Sequence, residues 1–214
     1  MGLKLYMIWG SPPVNAVLMV AKALNLELEL KELDFTRQEY LDDWYIKINP
    51  SHTVPALDDN GFIIWDSHTI LMYLVETYGK SSELHYLNST EKFRVLQVLN
   101  LDCGTVFRRM SDCLRPLFYE NESFIGQKNI KDLKEVYEIL DKILKGNKFL
   151  AGDRLTIADI SVFSSVVIGN LFLPVEEYVH LNKWLLEIQK MDLYAACEKG
   201  VEMIRTGLKI KLSK

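Results

Sequence analysis

The sequence predicts an α/β N-terminal domain followed by an all-α helical domain. Three observations carry this. Short apolar runs alternate with amphipathic ones, but only in the first eighty residues. That part contains two short apolar runs around an Asp-Asn-Gly tip. From residue 90 onward there is little strand signal, and long patterns of helical period take over.

Residues 3–8 read as a strand, residues 9–13 as a turn, and residues 14–24 as a helix, with Val17, Met19, Val20 and Leu24 apolar at helical offsets. Residues 28–33 alternate leucine with charge and predict a half-buried strand. Residues 37–48 read as a polar-faced helix, and Asn49-Pro50 marks a turn. Residues 56–65 predict a hairpin. Residues 67–78 read as a closing helix, with Ile70, Leu71, Leu74, Val75 and Tyr78 on its apolar side. Strand, helix, strand, helix, hairpin, helix gives a mixed sheet of about four strands, one crossover parallel and the last two strands antiparallel. That is a thioredoxin-like arrangement.

Residues 79–83 suit a linker, which places the domains at 1–80 and 88–214. Helical patterns cover residues 90–117, 129–144, 156–168, 178–190 and 193–208 and predict a bundle. No repeat or low-complexity segment interrupts them.

With 49% hydrophobic and 25% charged residues, the composition is that of a globular protein able to bury a core. A net charge of −4 without long runs of one sign speaks against a nucleic-acid partner. No apolar run reaches the roughly 20 residues of a membrane span. The first residues show no basic region followed by an apolar stretch, and position 6 is tyrosine, which breaks the myristoylation pattern. Cys103, Cys113 and Cys197 match neither a zinc spacing nor a redox pair, so no metal site and a reducing, cytoplasmic setting are expected. The two Asn-x-Ser/Thr matches, at Asn88 and Asn121, are read as chance.

Ser11-Pro12-Pro13 lies between the first strand and the first helix. Proline suits the first helical turn. A hydroxyl there sits beside unpaired N–H groups and the positive end of the helix dipole, a setting that favours an anion. A free thiol titrates near ~8.5, and lowering that by about 2 units takes about 2.7 kcal/mol. One charge-assisted hydrogen bond plus a helix terminus is of that order. The plain alternative is that Ser11 only caps the helix.

In His52-Thr53-Val54-Pro55, a cis bond before Pro55 would present the Val54 backbone to an extended ligand as an added strand. The competing readings are a strand-opening proline and a solvated loop histidine. In Asp66-Ser67-His68, Ser67 is placed as the cap of the third helix, where its hydroxyl and the N–H groups would meet a carboxylate. Asp66 would hold an ammonium, and the plain alternative is a helix cap alone. Thr156-Ile157-Ala158-Asp159 reads as a capping-box variant, which makes Asp159 structural.

Taken together, Ser-Pro-Pro, Asn-Pro-Ser-His-Thr-Val-Pro-Ala-Leu, Asp-Ser-His-Thr-Ile and Phe-Leu-Ala-Gly-Asp-Arg-Leu-Thr-Ile-Ala-Asp-Ile-Ser resemble the cytosolic glutathione transferases. The likeness spans about residues 3–205 and is to the insect delta and epsilon classes, epsilon more than delta. It implies the glutathione transferase fold, a homodimer, and conjugation of the glutathione thiolate to hydrophobic electrophiles in detoxification. It also implies roles: Ser11 activates the thiol, His52 contacts the glycine end, Val54 before cis-Pro55 pairs with the cysteinyl unit, and Asp66 and Ser67 hold the γ-glutamyl head, with His68 in support. Tyr40 stands where epsilon enzymes often have histidine, and Ser111 where many have arginine.

The second substrate is expected between the domains, against Phe107, Met110, Ser111, Leu114, Phe118 and Phe172, with Leu171 beside them. Apolar residues at helical spacing are otherwise core, and Arg108-Arg109 reads equally as a solvated face. Phe-Arg-Arg-Met-Ser-Asp and Gly-Asn-Leu-Phe-Leu-Pro resemble the noppera-bo branch, which acts in insect steroid-hormone production and typically has an acidic residue where Met110 stands. A steroid or apolar-ligand carrier with little catalysis, and a non-catalytic interaction module, are the other readings. The intact Ser11, His52, Pro55, Asp66 and Ser67 weigh against the module.

Overall fold

The computed structural model describes residues 2–213. The sheet comes first: β1 (Leu3–Met7), α1 (Pro12–Ala23), β2 (Leu28–Glu32), α2 (Asp43–Ile46), β3 (Ala56–Asp59), β4 (Phe62–Trp65) and α3 (Ser67–Tyr78). The strand order is β2-β1-β3-β4, with β1 and β2 parallel and the other pairs antiparallel. The hairpin tip is Asn60-Gly61, both at positive φ, as a two-residue turn between twisted strands requires.

Two expectations for the sheet part need correction. The strand β2 is not half-buried: only Leu28 is partly covered, and Leu30 is 42% exposed. It is an edge strand, and alternation alone does not say whether anything lies on its face. The helix expected over residues 37–48 is broken. A short 3-10 turn at Glu39–Leu41 precedes α2, and Gln38 is left-handed at φ +56°. Asp34 Oδ1 accepts from the Arg37 N–H, and Glu39 Oε2 accepts from the Asp34 N–H. These local bonds compete with the helix ladder.

The helical part holds α4 (Ser89–Leu101), α5 (Phe107–Phe118), α6 (Gln127–Leu144), α7 (Ile157–Gly169), α8 (Val179–Gln189) and α9 (Glu198–Leu212). The pattern read as one helix over residues 90–117 is α4 and α5 joined by a π-helical turn at Asp102–Val106. The segment 79–83 is tied down at its end: Arg154 donates to the carbonyls of Glu83 and His85 and pairs with Glu91.

All thirteen residues of α7 are buried, which makes it the axis of the molecule. It packs against α1, so one apolar core runs through both parts. Asp159 anchors it at 0% exposure. Its carboxylate accepts from the Thr156 N–H and hydroxyl, the Leu150 N–H and the Trp184 indole. Burial pushes this carboxyl up, and the four donors pull against that. None of the described helices is long and apolar enough to cross a membrane.

Candidate active site

Strand register builds the site. Tyr6 pairs with Ala56, and Ala56 with Trp65, so these three residues form a row across the sheet. Met7 pairs with Glu32 on the other side. Four loops therefore leave the sheet at one end, the carboxyl end of β1: residues 8–11, 33–42, 53–55 and 66–67. Ligands bind at such strand ends in open α/β sheets.

Ser11 is the N-cap residue of α1, but its hydroxyl makes no capping bond. The plain capping role is therefore not what occupies this side chain. It is half-buried, with the start of α1 beside it.

The Val54–Pro55 bond is cis, as expected. The pairing of β3 stops at Ala56, so the Val54 backbone lies beyond the ladder. Asn49 holds the preceding loop. It is 0% exposed and donates to the Thr53 carbonyl at 2.8 Å while accepting from the Ser51 N–H and hydroxyl. The Tyr45 hydroxyl also donates to the Thr53 carbonyl, at 2.5 Å. The sequence marked Asn49 only as part of a turn. His52 is exposed in the left-handed region at φ +46°.

At α3 the cap is Asp66, not Ser67. Asp66 Oδ1 accepts from the Thr69 N–H and hydroxyl, both at 3.0 Å. Ser67 is instead the first helical residue, 7% exposed. Its N–H and that of His68 belong to the first turn, where a helix has no acceptor of its own for them. Asp66 has φ +72° and ψ +119°, outside the left-handed basin. Such a backbone costs about 1–3 kcal/mol and persists where the surroundings impose it.

His68 does more than support. Its Nε2 lies 3.0 Å from Asp102 Oδ2, and its Nδ1 lies 3.9 Å from Asp66, an ion pair longer than a hydrogen bond. Ser161, on α7, donates to the same Asp102 oxygen. Asp102 is 2% exposed, and its other oxygen has no partner among the described residues. Burial pushes the His68 imidazole down, but Asp102 and Asp66 outweigh it and raise its pKa to about 9. His68, helped by the Thr69 donors, holds the Asp66 carboxyl at about 2. The head of α3 is thus fastened to the helical part through a cationic imidazole. Nothing local in the sequence flagged Asp102 or Ser161, which lie 34 and 93 residues beyond His68.

The expected apolar wall is only partly open. Phe107, Ser111, Phe118, Leu171 and Phe172 are partly exposed. Met110 is 1% exposed and Leu114 9%, so both belong to the packed core. Met110 falls on the inward face of α5 with Cys113, Leu114 and Leu117. Arg108 pairs with Asp112 on the surface, while Arg109 bridges to Glu135 and the Asp132 carbonyl of α6. The Tyr40 ring is engaged by Phe35, stacked at 6.2 Å, and Phe35 meets Tyr119 edge-on at 5.2 Å. This trio links the 33–42 loop to the end of α5, and no local pattern pointed to it. Burial raises the thiol pKa of Cys113 and Cys197 to about 12, and that of Cys103 upward as well. The chain's own thiols stay protonated at neutral pH.

Comparison with known proteins agrees with this arrangement. Residues 1–76 match the model of the glutathione S-transferase N-terminal domain and residues 106–190 that of the C-terminal domain. The chain belongs to the glutathione S-transferase family. Glutathione S-transferase D6 of Drosophila melanogaster is 32% identical over 188 residues, 87% of each chain. The structure of an epsilon-class glutathione S-transferase from the housefly, Musca domestica, is 38% identical, with 98% of each chain covered and a TM-score of 0.93. A glutathione transferase homologue from Drosophila mojavensis, solved with bound glutathione, is 30% identical over 98% of this chain and 97% of that one, with a TM-score of 0.94. The enzyme is therefore a glutathione transferase of insect delta/epsilon type, with glutathione as its co-substrate. The noppera-bo branch is not singled out among these relatives.

Proposed function

We propose that this enzyme conjugates glutathione to hydrophobic electrophiles, with Ser11 stabilising the thiolate and the loops around it holding the tripeptide. The observation that carries the reading is the shared sheet end. The hydroxyl of Ser11, the Val54 backbone just beyond the β3 ladder and the first turn of α3 leave the same row of paired strands. Val54 before Pro55 suits strand-like pairing with the cysteinyl unit. Ser67 and the α3 terminus suit the γ-glutamyl carboxylate, and the free side of Asp66 suits its ammonium. His52 and His68 complete the set as the glycine-end contact and the anchor of Asp66. Phe107, Ser111, Phe118 and Phe172 form the open part of the wall for the electrophile. Residues 1–80 and 88–214 act as the glutathione-binding and hydrophobic-substrate domains. Membership of the family supports a cytoplasmic homodimer acting in detoxification. A steroid-specialised role draws no support from Met110, which is enclosed.

Ser11→Ala tests the mechanism. Glutathione affinity should stay within about threefold, because the other contacts lie on other loops. Turnover should fall about 10- to 100-fold if one charge-assisted bond is lost. The ultraviolet absorbance of bound thiolate, followed against pH, should shift to a higher midpoint. An unchanged midpoint would remove Ser11 from the mechanism.

A further inference from the structure

The turn that carries Ser11 is not held by the sheet alone. The first turn of α9 lands on the two residues before it. The Lys199 ammonium stands 4.2 Å from the centroid of the Trp9 ring, and the Trp9 indole donates to Glu32 at 3.1 Å. The next residue, Gly200, meets Gly10 backbone to backbone. A Cβ on Gly200 would stand 2.9 Å from the Gly10 nitrogen and 2.7 Å from Asn15 Oδ1. A Cβ on Gly10, which has φ +84°, would stand 2.7 Å from Ile204 Cγ1 and 3.2 Å from the Gly200 carbonyl oxygen. No side chain fits between these segments in either direction.

Asn15 closes the contact from below. It is 0% exposed, and neither polar atom of its amide has a hydrogen-bond partner among the described residues. Its backbone N–H donates to the Ser11 carbonyl at 2.9 Å. The Ser11 turn is therefore wedged between α1 below and Lys199, Gly200 and Ile204 above.

We propose that the start of α9 sets the position of the Ser11 hydroxyl, with Gly200 in its first turn as the main positioning residue and Lys199 and Ile204 in support. This rests on the reading of Ser11 given above. A hydrogen bond from Ser11 to a thiolate depends steeply on distance and angle. Relieving a 2.9 Å contact to ordinary van der Waals distance moves the Gly10 backbone by about half an ångström. A misplacement of about 1 Å can cost 10²-fold in rate, so roughly tenfold is expected here.

Gly200→Ala tests this in the full-length protein with glutathione bound. The thiolate midpoint should rise and kcat should fall roughly tenfold, while KM for glutathione stays within about twofold. Gly207→Ala is the matched control on the same helix. Its Cβ would meet only the Phe118 ring, at 2.9 Å from Cε1, so stability should fall without movement of the midpoint. Lys199→Met, at an exposed position, should raise the midpoint by a smaller amount than Gly200→Ala. If Gly200→Ala does not accumulate as folded protein, Ile204→Ala carries the test, since it removes the group resting on Gly10 without adding one. Its midpoint must then rise. A wild-type midpoint in Gly200→Ala or Ile204→Ala, alongside a raised midpoint in Ser11→Ala, overturns the role of α9 and leaves that of Ser11 standing. No shift in Ser11→Ala itself overturns the reading of Ser11.

Discussion

His68→Ala removes the only cation beside a carboxylate that is 2% exposed, among the described residues. Breaking a buried ion pair by deleting one partner typically costs 3–5 kcal/mol. The imidazole pKa, raised from its ordinary 6.5 to about 9, corresponds to about 3 kcal/mol at most. The sign follows from the direction of the shift. A raised folded-state pKa gives stability that is complete below about 6.5 and is lost as pH rises through about 9. The linkage contribution is therefore about 3 kcal/mol near pH 6, about 2 near pH 7.5 and close to zero near pH 10. Above that, only the worth of a neutral hydrogen bond, about 1 kcal/mol, separates the two proteins. Urea unfolding of wild type and His68→Ala across this pH range measures the difference. Asp102→Asn added to His68→Ala should recover part of the loss, because no unpaired charge then remains buried. A difference that stays constant from about pH 6 to pH 10 would show that the imidazole is not held as a cation by Asp102.

Other consequences are checked more simply. Asp66→Ala and Ser67→Ala should each weaken glutathione binding roughly tenfold or more, the worth of one hydrogen bond to a charged group; calorimetric titration with unchanged affinity in both would empty the head-group site. Asp159→Ala should cost about 3 kcal/mol or more, above the ~0.5–2 kcal/mol of a lost cap, because buried donors at Leu150, Thr156 and Trp184 lose their acceptor together. Its activity per folded molecule should survive, and a stable but inactive variant would contradict that structural role. Met110→Asp should fail to improve steroid binding and should destabilise the fold by several kcal/mol, since it places a carboxylate in an apolar core; a thermal melt unchanged from wild type would mean that α5 can turn this position outward.

Much of this molecule was legible in the chain itself. The hairpin followed from Asp-Asn-Gly, because two consecutive residues at positive φ suit few side chains. The capping of α7 followed from Thr156 and Asp159, three residues apart on one helical turn. Ser11, the cis bond before Pro55 and the Asp66–Ser67 pair each had a plain local alternative, and only a resemblance spanning the chain suggested them as parts of one site. Sequence also determined that α5 has an apolar face. It could not say that this face points Met110 and Leu114 into the core, because a period of 3.6 gives the stripe without its partner. The exposure of β2 depended likewise on what covers it. The break at Gln38 came from side-chain bonds at Asp34 and Glu39 that compete with the helix. Longer-range pairings belonged to the tertiary structure alone. Asp102 reaches His68 across 34 residues, Ser161 reaches Asp102 across 59, and Gly200 meets Gly10 across 190. Each partner is unremarkable in its own stretch of chain. What makes them a unit is the packing of α7 and α9 against α1 and the sheet end, a contact between surfaces that no local pattern encodes.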